Sequence, residues 1–146
     1  MKYSLNISGG ESEAINIPQG TDILRVSFSI FQNDKGFTDR SDRLFNTVCI
    51  EGKIRSETKQ ATKDILEWSK KTSKNDVYKS VEIKVYQESE VIRDYFMKNR
   101  YCTSYTECMD ENIEGNGNRG AAAFGTFKLE LRQRSDAIDT IKVDCN

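Results

Sequence analysis

Residues 52–71 read GKIRSETKQATKDILEWSKK, and this stretch decides how the 146-residue chain is laid out. Gly52-Lys53-Ile54 ends a strand running from Phe45 to Arg55, with Val48, Ile50 and Ile54 on its inward face. Gly52 falls on that same face, which predicts a bend or a close approach of another group to the backbone. Ser56-Glu57-Thr58 then offers capping side chains. The following helix runs roughly from Gln60 to Lys71. Ala61, Ile65 and Trp68 recur at i, i+4 and i+7 with Leu66 beside them, while Lys59, Lys63, Glu67 and Lys70 lie largely off that stripe. A helix of about three turns is not stable alone. It must pack on a sheet, with Trp68, Ile65 and Leu66 as its expected core anchors.

Period-two alternation surrounds this helix on both sides. Tyr3, Leu5 and Ile7 mark a first strand over Lys2 to Ser8, and Ile15 and Ile17 a short second one before the Pro18-Gln19-Gly20 turn. From Asp22 to Phe31, Leu24, Val26, Phe28 and Ile30 are expected to face the core, and Arg25, Ser27 and Ser29 the outside. After a polar turn at Thr72 to Asp76, Val81, Ile83 and Val85 alternate with Glu82 and Lys84, and Glu88-Ser89-Glu90 reads as a hairpin turn. Val91 to Met97 and Tyr101 to Glu107 read as two strands around Lys98-Asn99-Arg100. Phe124 to Arg132 closes the core with Phe127, Leu129 and Leu131 inward, and Ile138 to Val143 reads as a short terminal strand. Gln32 to Arg43 and Asp110 to Gly120 are polar and aperiodic, hence exposed loops, and loops of that length often carry function.

No internal repeat or linker interrupts residues 1–146, so the chain is read as a single domain. About seven short strands and one helix fit a mainly-β fold, a small antiparallel β-barrel with one flanking α-helix. Any strand edge left open in such a fold is a place for another chain to add a strand. The chain carries 22 basic and 23 acidic residues, for a net charge of -1. It lacks the basic excess that phosphate backbones attract, which argues against nucleic acid as a partner. Its apolar runs are a few residues long, too short for stable membrane insertion. The N-terminus shows no secretory signal, so a cytoplasmic location is expected, with any export by another route.

Chemistry-bearing constellations are sparse. With no histidine in the chain, Ser/His and Cys/His pairs are excluded within it. Cys49, Cys102, Cys108 and Cys145 form no C-x-x-C pair, so no metal site is expected and buried free thiols are the simpler reading. A Cys102–Cys108 bridge stays open at this stage. Gly115-Asn116-Gly117-Asn118-Arg119-Gly120 matches G-x-G-x-x-G literally, but a strand follows it where a nucleotide site needs a helix. The acidic residues Glu88, Glu90, Asp94, Glu107, Asp110, Glu111 and Glu114 read as turn and surface carboxylates rather than a catalytic pair. Neither an enzyme nor a bound cofactor is expected.

Several features in order carry a family resemblance: the Asp34-Lys35-Gly36 loop, the Gly52-Lys53-Ile54 strand end, the Ile65-Leu66-Glu67-Trp68 helix, the Val81 to Tyr86 strand, Tyr95-Phe96, and Tyr101-Cys102-Thr103-Ser104-Tyr105-Thr106-Glu107. From about Ser27 to Arg134 the chain resembles the haemolysin-coregulated protein (Hcp) family, the tube subunits of type VI secretion systems and related contractile injection machines. It departs after Gly36, where Phe37-Thr38 stands in place of the Arg-Pro frequent in that family. The resemblance implies a phage-tail-tube-like barrel, homo-hexameric rings stacked into a tube, and sheath, baseplate or spike, and effector proteins as partners. It also implies a ring-stacking role for the loop residues Asp34, Lys35, Gly36, Phe37, Asp39, Arg40 and Asp42. Tyr101 and Tyr105, with Tyr95 and Phe96, read from their strand positions as aromatic cross-strand packing that anchors the core rather than as a stacking surface for nucleic acid. The alternatives are the tail tube of a phage-like or extracellular contractile particle and a small ligand-binding β-barrel.

Overall fold

The computed structural model describes residues 1–10, 12–32, 44–110, 123–133 and 141–145. The elements are β1 (Lys2–Ser8), β2 (Ile15–Gly20), β3 (Ile23–Gln32), β4 (Leu44–Ile54), α1 (Lys59–Ser69), α2 (Lys74–Val77), β5 (Lys79–Gln87), β6 (Glu90–Met109), β7 (Gly125–Gln133) and β8 (Lys142–Asp144). They form one antiparallel 8-stranded sheet in the order β2-β1-β5-β6-β7-β4-β3, with β8 paired to β6. The mainly-β class is therefore as expected, but α2 adds a short helix where the sequence suggested only a polar turn.

The two strands expected around Asn99 are one strand of 20 residues. Asn99 takes a left-handed conformation (φ 57°), which a short polar side chain tolerates. A register shift between Lys79 and Val81 absorbs the irregularity, so hydrogen bonding continues through it. Before the bend β6 pairs with β5, and from Arg100 onward it pairs with β7. This strand thus folds one half of the sheet over the other. Phe28 of β3 stacks on Tyr95 of β6 with ring centroids 5.1 Å apart. Those strands are three places apart along the sheet, roughly 14 Å if it were flat. The sheet curls around a single core that includes Leu5, Ile17, Ile50, Ile83, Met97 and Leu129.

The curl stops short of a closed barrel. Among the described residues β2 and β3 end the order without pairing to each other. The six-residue β2 contains Pro18, which has no N–H to offer a ladder, and α1 lies against β2.

The inward face of β3 also differs from the expected one. The β3–β4 pairing slips between Ile23 and Arg25, so Ile23 is buried and Leu24 turns outward. Val26 and Phe28 are half-buried against the core, and Ile30 is exposed. Gly52 is the close approach the sequence predicted: a Cβ there would lie 2.6 Å from the Phe127 ring and 2.8 Å from the Asp22 carbonyl oxygen. Thr58 is the N-cap residue of α1, but its side chain makes no capping bond. Its hydroxyl donates to the Lys53 carbonyl at 2.9 Å and accepts from the Arg55 N–H at 2.9 Å, tying down the β4–α1 turn. All four cysteines are free. Cys49 and Cys102 are partly buried, but Cys108 and Cys145, near the end of β6 and past β8, are exposed rather than core thiols.

The topology gives the molecule two ends. At one, β1 stops at Ser8, β3 at Gln32 and β7 at Gln133, while β4 and β5 begin. At the other lie the β2–β3 connection at Gly20–Ile23, the end of β4 at Ile54, the start of β7 at Gly125, and the β5–β6 turn at Glu88-Ser89.

Candidate assembly surface

The open edge of β3 is the first element of the surface. β3 is 10 residues long, contains no proline and pairs only with β4 among the described residues. Three large apolar side chains on it are exposed: Leu24 is 50% exposed, Ile30 52% and Phe31 42%. Phe31 stacks on Phe45 with centroids 5.8 Å apart, so this apolar patch reaches across to β4. Folded chains normally blunt such an edge with charge, proline or a covering element. Here Arg25 is the one charged side chain on β3, and no helix lies along it among the described residues.

The opposite flank is covered. Ile65 and Trp68 are buried on α1, and the Trp68 indole N–H donates to the Val77 carbonyl at 2.9 Å, tying α1 to the α2 segment. Leu66 is not a core anchor: it is 37% exposed, because it sits one position off the buried Thr62-Ile65-Trp68 stripe. Tyr105 is half-buried and stacks near Phe127 at 6.2 Å, with its hydroxyl 2.7 Å from Glu107 Oε1 and 3.3 Å from the Thr62 carbonyl. Burial, reinforced by Glu107, pushes its phenol far above the usual range. Tyr101 is half-buried and meets Tyr78 edge-on at 5.9 Å. A surface cleft of about 710 Å³ opens beside α1, lined by Glu13, Asp64, Glu67, Trp68 and Lys79 among others. The loop residues Asp34, Lys35, Gly36, Phe37, Asp39, Arg40 and Asp42 lie outside the described residues, as does the Gly115–Gly120 motif.

Each end of the molecule carries a charged feature that sequence reasoning missed. At the β2–β3 end, Asp22 forms a two-pronged ion pair with Arg55 through Nε and through Nη2, the latter at 2.9 Å. The hydrogen bond to Asp22 holds the Arg55 guanidinium above its ordinary value. At the other end, Lys79, Arg100 and Gln133 are register neighbours on β5, β6 and β7, Asn46 near the start of β4 reaches Gln133 through its side chain, and all four are buried. Lys79 Nζ donates to the Gly9 carbonyl at 2.7 Å and to Ser12 Oγ at 2.8 Å, and burial holds its pKa below the ordinary value. Asn46 Nδ2 donates to Gln133 Oε1. Arg100 is 0% exposed, and its Nε, Nη1 and Nη2 have no hydrogen-bond partner among the described residues. Burial alone pulls its pKa down to about 10. The sequence signals were faint: Arg100 reads as part of a turn, and Gln133 and Asn46 as ordinary polar residues at strand ends.

No family model matches this chain, and no curated protein matches it by sequence. The fold, by contrast, has solved counterparts. It is that of Hcp proteins and of parts of contractile injection systems. Hcp1 from Flavobacterium johnsoniae superposes with a TM-score of 0.58 at 17% identity, covering 100% of this chain and 97% of that one. Another Hcp protein gives 0.60 at 11% identity with 100% of each chain covered. The sheath/tube terminator of an extracellular contractile injection system, PVC, gives 0.53 at 12% identity, covering 97% and 93%.

Proposed function

We propose that this chain is a structural tube subunit that forms hexameric rings, which stack into the inner tube of a contractile injection, type VI secretion-like, machine. The observation that carries this reading is the bare β3 edge with Leu24, Ile30 and Phe31 exposed on it. A second copy completes that edge, and a heterologous contact repeated around an axis closes into a ring. The shared fold with Hcp proteins supports the reading. On it the subunit makes and breaks no bond. It is assembled in the cytoplasm and ejected, its partners are sheath, baseplate or spike proteins, and effectors travel in the lumen. The likeness to the PVC terminator favours a second reading, the tube of an extracellular contractile particle, which genomic neighbours would separate from the first.

Negative-stain microscopy of the purified protein tests the proposal directly, with rings and tubes as the expected result. Ile30→Lys with Phe31→Lys places charge on the edge and should leave folded monomers that form no rings. Deleting residues 34–42 should leave rings that do not stack. A wild-type protein that stays monomeric at high concentration would overturn the reading.

A further inference from the structure

The buried row at the Arg100 end has no use within the subunit described so far. A guanidinium out of water is normally paired, because burial penalises its charge and each unfilled N–H adds to that penalty. Arg100 is fully buried with three nitrogens unpartnered among the described residues, and its cross-strand neighbour Lys79 brings a second positive charge. Its other cross-strand neighbour, Gln133, and the Asn46 amide bonded to Gln133 supply no negative charge. The row asks for a carboxylate.

Carboxylates stand at the opposite end of the same hairpin. β5 runs from Lys79, in the row, to Gln87, and β6 returns from Glu90 to Arg100. The two-residue turn between them is Glu88-Ser89, with Glu88 in the left-handed region at φ 58°. Glu88 and Glu90 are exposed and have no ion-pair partner among the described residues. One hairpin therefore carries unpaired anions at its tip and an unpaired cation at its base. Within one copy, the length of β5 separates them. Copies stacked head to tail bring the tip of one to the base of the next.

We propose that Arg100 is reserved for a carboxylate of the next copy in the stack, supplied by Glu88 or Glu90 at the tip of its β5–β6 hairpin. This rests on the tube reading above. Arg100 pairs with the first residue of β5 and the last of β7, so it stands where both neighbouring strands stop, and on this proposal a rotamer change brings the guanidinium to the incoming carboxylate. On this proposal the charge left uncompensated among the described residues is relieved by ring-on-ring contact, which favours the stack over the free ring.

The test is a double-mutant cycle on tube length, read from micrographs and sedimentation, with melting of the unassembled subunit as the second readout. The Glu88→Gln/Glu90→Gln protein should melt like the wild type and form rings, yet stack at least about tenfold less. Arg100→Met should show the same stacking loss while raising the subunit's melting temperature, and combining the two should add no further loss. A lowered melting temperature for Arg100→Met would mean that its charge is already satisfied inside the subunit and would overturn the proposal. Normal stacking of the glutamine variant, or additive losses, would overturn it while leaving the tube reading intact. Wild-type rings that never stack would remove both.

Discussion

The two ends of this molecule handle charge in opposite ways. At the β2–β3 end, Arg55 has Asp22 across a short two-pronged contact, and the Lys53 N–H bonds the Asp22 carbonyl at 2.7 Å. At the other end, Arg100 is more deeply buried and has no partner among the described residues. The physical signature follows: the partner raises the pKa of Arg55, whereas burial lowers that of Arg100. The first end is finished within one chain. The second behaves like half of a contact, because a buried charge with no counter-charge beside it is satisfied only from outside.

Breaking the finished end should have the largest effect. Asp22→Ala strands Arg55 against its burial, with only the exposed Glu57 at 3.0 Å left to it. The expected loss is about 3 kcal/mol, below the full cost of a wholly buried broken pair because Arg55 is partly exposed. Urea unfolding would measure it, and a loss under about 1 kcal/mol would show that this end does not depend on the pair. Gly52→Ala attacks the same end by overpacking, since the new methyl meets the Phe127 ring and the Asp22 carbonyl. A cost of about 2 kcal/mol is expected, and Phe127→Leu should recover part of it in the double variant. Simple additivity would mean that the ring is not what the methyl meets.

The unfinished end should respond with the opposite sign. Arg100→Met replaces an unpaired buried charge with an apolar side chain of similar length. Subunit stability should rise by about 1–2 kcal/mol, measured below the concentration at which rings form. Few buried-residue substitutions stabilise, so the sign alone sharpens the contrast with Asp22.

How much of this was legible beforehand follows from what each feature depends on. Alternation at Leu5/Ile7, Val81/Ile83/Val85 and Phe127/Leu129/Leu131 is a local signal, and it located those strands and their buried faces. Gly52 announced its close contact because a glycine on the inward face of a strand leaves a gap that the packed core must fill with a neighbouring group. Leu24 and Leu66 were misplaced because their exposure depends on a register slip and on a stripe one residue away, neither visible in apolar content. The bend at Asn99 looked like a turn, because sequence shows the polar triplet but not the β5 register that continues through it. Arg100 could not be found at all. Its burial is a product of β5 and β7 meeting β6 at one level, a long-range fact with no local trace.

Between the two ends, the outer face of β5 offers the mildest test. Glu82 and Asp94 lie on neighbouring strands, and desolvation first, then a hydrogen bond to Asp94 that only the protonated Glu82 can donate, and the Asp94 charge raise its pKa above the ordinary 4.5, with Lys84 pulling the other way. The folded chain therefore holds this proton more tightly than the unfolded one, so stability at this site falls as pH rises above 4.5 and through the folded value. At neutral pH the ionised Glu82 is a mild liability, and acidification toward the ordinary carboxylate range relieves it. Glu82→Gln keeps the shape and deletes the titration. The variant should be more stable than the wild type at pH 7 by less than about 1 kcal/mol, since the site is partly solvated, and the advantage should vanish as the pH approaches 4.5. Parallel melting curves for the two proteins across that range would show that the Glu82–Asp94 contact carries no net charge cost, and the contrast in charge handling would then rest on Arg55 and Arg100 alone.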